Sequence, residues 1–524
     1  MAILNLPLTS TSNLVLWCSV VIALNFLLLS IYRVYLHPLS KFPGPIRYKL
    51  SGWPLLWQAY KGNRHLFHLK DHEKYGPIVR ISPSTLSFNT APSLATIYGS
   101  RTVPVKKGEW YKTFDVAAGT YSSFTETDKA IHATKRRWVS PAFSDLSQRA
   151  NETLIIDVIE RFCETIRPRR REGGDKGGWG EKWNASVLTT YLGFDIMGAL
   201  VFGCDFRTVQ EVGYRDLADS ILPASKFLYW VSYLPLAPLV RPLLRTKLFE
   251  ILGGRPIRDN NRLIEYASAQ VGARARGTRN ESGDWSGKVN KNGNDEEADT
   301  ERIDFLSHLI NKPDQKSGWR PTRADLDTEC LNMMNAGADP FSSVLAGAIF
   351  YLVHNPTALQ KATAEVRSTF TSPNDIHSGP LLTSCLYLSA CIEETLRLCS
   401  PVPSHLPRTI LPPGLTIPPY PLPLPPGTVV GVPCYSIHHN PVYFPSPFSF
   451  LPSRWIESPS NPPSAIEAAK SAFEPFGIGS RACIGKNIAY LQLRLTLAHV
   501  LWRFDLREIS DVGCIGVWEG WADG

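Results

Sequence analysis

No charged side chain occurs in the first 32 residues, although the 524-residue chain carries a formal net charge of +8. Within that gap Leu14 to Tyr32 is almost wholly apolar, interrupted by Cys18, Ser19, Asn25 and Ser30. About 20 such residues span a bilayer as a helix. Also missing are a basic start and a clear small-residue cleavage site, which argues against a cleaved signal peptide. Arg33, Lys41, Arg47 and Lys49 follow at once and place the body of the protein on the cytosolic side. Arginine-lysine blocks with interleaved aromatics are absent too, so nucleic-acid binding finds no support. The excess of positive charge suits a membrane surface or an acidic redox partner better. The ten cysteines form no C-x-x-C pair and no small secreted framework, and read as reduced thiols. Sequons at Asn151, Asn184 and Asn280 would need a luminal location to matter.

What is present divides the chain. Residues 1–32 form a signal anchor with a transmembrane helix. Residues 33–49, with His37-Pro38 and Phe42-Pro43-Gly44-Pro45, form a proline-rich hinge that fixes the body at a set angle. Ile78–Ser82 and Thr85–Phe88 have strand-like β-branched content, and Ala91 to Ser100 reads as helix. Lys106 to Thr127 mixes glycine, serine and aromatics, as a pocket-lining loop does. Asp128 to Phe143 reads as a helix on which His132 and Arg136, four apart, share one face. Ile221 to Leu252 is apolar but broken by prolines, so it belongs in a core or on a membrane surface. Gly272 to Glu301 is polar and reads as an exposed loop. Asp304 to Ile310 and Leu326 to His354 read as helices.

Near the C-terminus, Pro475-Phe476-Gly477-Ile478-Gly479-Ser480-Arg481-Ala482-Cys483-Ile484-Gly485 sets one cysteine on a glycine-rich loop that runs into an apolar helix. Unpaired N–H groups at a helix start stabilise a thiolate, and donors aimed at a thiolate sulfur tune a metal it holds. Alone, Cys483 could equally be a small hydrophobe of a core. The pattern F-x-x-G-x-R-x-C-x-G, however, resembles the haem-binding signature of the cytochrome P-450 family.

That resemblance implies a mainly α fold with a smaller β region: one large haem domain, residues 50–524, on the N-terminal transmembrane helix. It spans roughly Phe42 to Leu506, with an atypical end after 506. It implies haem b with Cys483 as the iron ligand, Phe476 packed beside the metal, and Arg481 paired with an acidic group of the cofactor. His132 and Arg136 would grip the propionates together, unless they are a solvated basic face, and Arg408 would touch a propionate. Val402 to Leu406 would line the substrate pocket. Ala336-Gly337-Ala338-Asp339-Pro340 resembles the family's central-helix motif, with Pro340 where threonine is usual. The small pair would let the helix approach the haem closely, and Asp339 would relay protons unless it faces solvent, with Ser343 one turn on as a substitute hydroxyl. Glu394 and Arg397, with Arg454 of Pro452-Ser453-Arg454-Trp455, resemble the family's structural clamp.

The function so implied is a monooxygenase that inserts one oxygen atom from O2 into a lipophilic small molecule of fungal secondary metabolism. Electrons would come from an NADPH-dependent flavoprotein reductase, with a small b-type cytochrome as an optional second donor. The protein would be single-pass in the endoplasmic reticulum membrane, in contact with lipid and with no nucleic-acid partner. Two rival readings are a redox-neutral haem-thiolate isomerase or dehydratase, suggested by Pro340, and an inactive haem-binding membrane protein, suggested by the altered C-terminal end.

Overall fold

The computed structural model describes residues 11–114, 119–167, 183–235, 237–247, 250–251, 254–276, 304–310 and 313–508. The fold is mainly helical with one small mixed sheet, as expected. Helix α1 (Thr11–Ile31) has no charged residue and none of its face is covered. Its apolar span continues through a further turn to Leu36. Two other helices are long and apolar enough to cross a membrane, but both lie largely inside the protein.

The hinge is tied down by main-chain acceptors. Arg80, fully buried, donates through Nη1 to the carbonyls of Arg33 at 2.8 Å and Leu39 at 3.3 Å, and through Nη2 to Pro83 at 2.7 Å. A buried guanidinium saturated by carbonyls fixes the chain leaving α1 to the sheet. Helices α2 (Trp53–Lys61) and α3 (Arg64–Tyr75) follow. Strands β1 (Ile78–Ser82) and β2 (Thr85–Phe88) then pair antiparallel where alternating β-branched residues predict them. With β3 (Val105–Lys107), β4 (Arg408–Ile410) and β5 (Val429–Gly431) they make a five-stranded sheet in the order β1-β2-β5-β4-β3.

The helical part opens with α4 (Lys129–Val139), whose N-cap Asp128 accepts from Ala130 and Ile131. Then come α5 (Asp145–Ile166), α6 (Ala185–Phe202), α7 (Arg215–Val231), α8 (Arg255–Arg276) and α9 (Arg323–Val353). Helix α8 runs five residues into the stretch read as an exposed loop; the rest of that stretch lies outside the described residues. Asn151 is buried inside α5, which removes it as a glycosylation site. Helices α6 and α9 form the most extensively packed pair. A Cβ on Gly193 of α6 would stand 2.7 Å from the Ala338 carbonyl oxygen of α9, so glycine there lets the two helices cross this closely, while Gly337 of α9 faces the flexible end of Met197. Gly337 thus lies on the α6 side of the helix.

Helices α10 (Pro356–Thr369), α11 (Leu386–Leu398) and α12 (Lys486–Arg503) complete the core. On α11 the carboxylate of Glu394, fully buried, accepts from Arg397 at 2.8 and 2.9 Å, Arg454 at 3.0 Å, Trp455 at 2.9 Å and the Leu451 N–H at 3.0 Å. Arg397 also donates to the His438 carbonyl at 2.9 Å, and the His438 ring accepts the Glu474 N–H at 3.0 Å. The expected clamp is therefore present and reaches the cysteine loop through His438. Glu394→Gln leaves two buried guanidinium groups without their anion, and the expected loss is about 3–5 kcal/mol. Urea unfolding measures it; an unchanged midpoint at the same slope would show that the network contributes no stability.

Candidate active site

The loop before α12 is closed by its own backbone. The Cys483 N–H donates to the Phe476 carbonyl at 2.8 Å, Gly477 to Glu474 at 2.8 Å, and Ala482 to Gly479 at 3.1 Å. Gly479 has φ +75°, and a Cβ there would stand 2.1 Å from the Tyr98 carbonyl oxygen. Both the backbone angle and the close approach demand glycine. Cys483 itself is exposed, yet crowding by protein raises its thiol pKa by desolvation, with Arg136 and Lys486 acting the other way. Exposure together with desolvation marks a side chain on the wall of an internal cleft. The Gly485 backbone N–H also acts to lower the thiol pKa, the kind of influence that tunes a metal-bound thiolate.

Cys434 is also buried, but it faces Ser400 Oγ at 3.1 Å and the His438 ring at 3.6 Å, with no glycine loop around it. It is a core thiol.

Four of the sequence-selected residues meet along one edge of this region. Arg136 donates to the Ala482 carbonyl at 2.8 Å, and Arg481 to the carbonyls of Glu126 at 2.7 Å and Asp128 at 3.0 Å. Arg408, buried, donates to Tyr111 Oη at 2.9 Å. His132 is buried and its pKa is pushed down to about 3, by desolvation first and then by Arg481, Lys107, Arg136 and Arg408. The solvated-face reading of His132 does not hold. Lys107, which sequence reasoning did not single out, is the fifth member. It is paired across the sheet with Arg408, a like charge directly opposite, and donates to the Phe124 carbonyl. Burial, then Arg408, Arg481 and Arg136, hold its pKa well below the usual lysine range. Arg481 is lowered to about 10 by burial and then by Arg408.

Among the described residues none of these five groups forms an ion pair. Glu474, near Arg408, does not neutralise them, because burial raises it to about 8 and it stays protonated at neutral pH. Mutual repulsion on this scale is tolerated where an anion belongs. A cleft with a thiol on its wall and, at its edge, cations that Glu126, Asp128 and Glu329 only partly offset fits a cofactor carrying both a metal and acidic arms. Haem has both.

The remaining two residues lie elsewhere around the loop. Phe476 packs on Tyr490 of α12 with ring centroids 5.0 Å apart. Asp339 sits on α9, which packs on α12. Ala336, Asp339, Pro340 and Ser343 share one helix face, on which Ala336 is exposed and the other three are half-buried. Desolvation raises the Asp339 pKa to about 6. It is not a solvent-facing acid. The helix continues through Pro340 as one element.

The comparisons with known proteins agree with this chemistry. The family model described as Cytochrome P450 matches residues 43–514. That match passes Leu506, so the likeness extends beyond the point where the sequence reading ended it; residues 509–524 lie outside the described residues. The chain is 32% identical over 495 residues to Cytochrome P450 monooxygenase fscF of Fusarium equiseti, covering 94% of this chain and 89% of the relative. It is 33% identical over 497 residues to Cytochrome P450 monooxygenase atnE of Emericella nidulans, covering 94% and 90%. Cytochrome P450 monooxygenase apf7 of Gibberella fujikuroi is 29% identical over 528 residues, covering 98% and 94%.

Because the Gly479 position is closed to any side chain, Gly479→Ala should disorder the cysteine loop. The expected result is protein that folds but elutes from gel filtration with little haem. Full haem retention would show that the loop has another way to close.

Proposed function

This chain belongs to the cytochrome P450 family, and from that premise we propose that Cys483 is the haem ligand of a monooxygenase acting on a lipophilic fungal metabolite. The family's cofactor is haem, and its monooxygenases take O2, a redox partner and a small-molecule substrate. Haem held by a cysteine thiolate supplies the activation of O2, the thiolate pushing electron density that favours O–O cleavage. The observation that carries the assignment of Cys483 is its place on the cleft wall, in a loop closed by two left-handed glycines and flanked by unneutralised cations.

In this reading His132, Arg136, Arg408, Arg481 and Lys107 hold the propionates. Their charge is then neutralised by the cofactor, and the repulsion among them becomes binding energy. Phe476 shields the sulfur side of the loop. Asp339 is the proton carrier on α9. Pro340 supplies no hydroxyl, so the acid works without the usual neighbour. Residues 33–49 hold the catalytic domain, residues 50–524, at a fixed angle to the membrane. The apolar helix fits a membrane anchor, and we place it in the endoplasmic reticulum with the body in the cytosol. A membrane-bound, NADPH-dependent flavoprotein reductase is the electron donor, with a small b-type cytochrome as an optional second donor. Fungal monooxygenases of matching length support secondary metabolism as the setting.

Reduced membranes carrying the wild type should give the red-shifted carbon monoxide Soret band of a thiolate-ligated haem, and Cys483→Ser should not. A band that survives the substitution assigns the ligand to another cysteine. A second outcome concerns pH. An acid raised to about 6 keeps its proton well above the ordinary aspartate range and loses it as pH rises through that value. If the protonated form delivers the proton, product formed per NADPH falls across that interval. Asp339→Asn should couple poorly and without that limb. An Asn variant with wild-type coupling removes Asp339 from proton delivery.

A further inference from the structure

A second buried cation lies away from the haem-side cluster and is also without an acid. Arg64, at the start of α3, is 1% exposed. Its guanidinium lies 4.2 Å from the centroid of the Tyr233 ring, and Nη1 donates to Tyr229 Oη at 3.4 Å and to Tyr233 Oη. Its Nη2 meets His405 Nδ1 at 3.0 Å. His68, one turn along α3, stacks edge-on against His405 at 5.4 Å. His68 is also 1% exposed, and neither of its ring nitrogens has a hydrogen-bond partner. Arg64 Nε and Trp110 Nε1 are likewise buried and unpartnered.

The groups that act electrostatically on Arg64 are the hydroxyls of Tyr229 and Tyr233; those that act on His68 are Arg64 and three other histidines. Among the described residues no carboxylate is among the groups that act most strongly on either of them. A buried guanidinium without an anion is costly, and unpaired buried donors add to that cost. Arg64 and Trp110 can only donate, and the tyrosine hydroxyls can turn to donate as well. The set lacks a negatively charged acceptor, and a guanidinium fork matches the two oxygens of a carboxylate.

The position of the cluster says which carboxylate. Trp110 lies 5.9 Å from Tyr233 and 6.3 Å from Tyr229 on one side, and 4.9 Å from Tyr111 on the other. Tyr111 in turn holds Arg408 of the haem-side cluster. Tyr229 also donates to Ser404 Oγ at 3.3 Å, inside the segment expected to line the substrate pocket. One aromatic layer therefore separates Arg64 from the haem-side cluster. Tyr229, Tyr233 and Trp110 are only half-buried and form the wall through which a ligand would pass.

We infer that Arg64, with His68, His405 and Trp110, is a carboxylate subsite of the substrate channel, so that the substrate is an amphipathic acid with its head held here and its apolar body directed toward the haem. The inference rests on the monooxygenase reading and narrows its substrate class. Full burial of Arg64 and His68 favours a small acid over a two-chain lipid headgroup.

The test uses the full-length holoenzyme in phosphatidylcholine nanodiscs, which carry no anionic headgroup. Dodecanoate and dodecan-1-ol, equal in chain length, are titrated against it and followed by the Soret spin-state shift and by calorimetry. The wild type should bind the acid at least about tenfold more tightly than the alcohol, the size of one or two charge-assisted hydrogen bonds. Arg64→Met should abolish that preference and leave alcohol binding unchanged. Tyr233→Phe should reduce it. Where Arg64→Met fails to give the carbon monoxide band, Arg64→Lys keeps the charge without the fork and should show an intermediate preference. Equal affinity for acid and alcohol in the wild type overturns the inference, and so does a parallel loss of both in the variants. A wild type without the carbon monoxide band refutes the haem reading instead, and calorimetry with the same two ligands still decides the subsite.

Discussion

The buried carboxylate of Glu394 is the point from which the cysteine loop is suspended. Five donors converge on its two oxygens, two from Arg397 and one each from Arg454, Trp455 and the Leu451 backbone. The anion is thereby fully satisfied in a site with no water access, the condition under which a buried ion pair holds geometry rather than weakening it. The restraint passes outward along Arg397 to the His438 carbonyl, from the His438 ring to the Glu474 N–H, and from the Glu474 carbonyl to Gly477. Each link is a single hydrogen bond. The cysteine is positioned by main chain, and the main chain by one acid.

The cleft uses the opposite arrangement. Around Glu394 two cations share an anion, whereas Lys107, Arg136, Arg408 and Arg481 form no ion pair among the described residues, and their charges add to burial in lowering the pKa values of Lys107, His132 and Arg481. The same contrast recurs at Arg64. A fold that can satisfy its cations when structure requires it, and leaves others bare beside a cleft, reserves those for anions brought by other molecules. The two clusters on either side of Trp110 then fit the cofactor edge and the substrate head proposed above.

Much of this was legible in the sequence, for a physical reason that also sets its limit. The loop around Cys483 is a local structure, and Gly477, Gly479 and Arg481 act within a few residues of the thiol, so their spacing carries the information. The clamp was legible only in part: Glu394 and Arg397 share a helix turn, while Arg454 lies 60 residues on and was found through its own short motif. Strands β1 and β2, the anchor and α9 announce themselves by periodicity and apolar length. Lys107 does not, because its meaning arises from the β3–β4 register that sets it opposite Arg408. Arg64 does not either, since its partners stand 165, 169 and 341 residues away. Gly337 turns toward Met197 of α6, which its small size alone could not reveal, because small residues on a helix say that something comes close without saying which neighbour.

That rotation of α9 bears on what Pro340 does. With Gly337 turned to Met197, the face formed by Ala336, Asp339, Pro340 and Ser343 is the accessible one. Proline has no N–H for the carbonyl four residues back, so the Ala336 oxygen on that face is released from the helix ladder. Ser342 is not free to replace the missing side-chain donor, since it donates to the carbonyls of Ala338 at 2.7 Å and Thr189 at 2.9 Å on the buried side, whereas Ser343 shares the accessible face with Asp339. The substitution therefore exchanges a donor for an acceptor. A proton path across this face needs a donor all the same, and Asp339 is the acidic side chain it carries. Burial, by raising that acid to about 6, lets a carboxyl take the part of a hydroxyl.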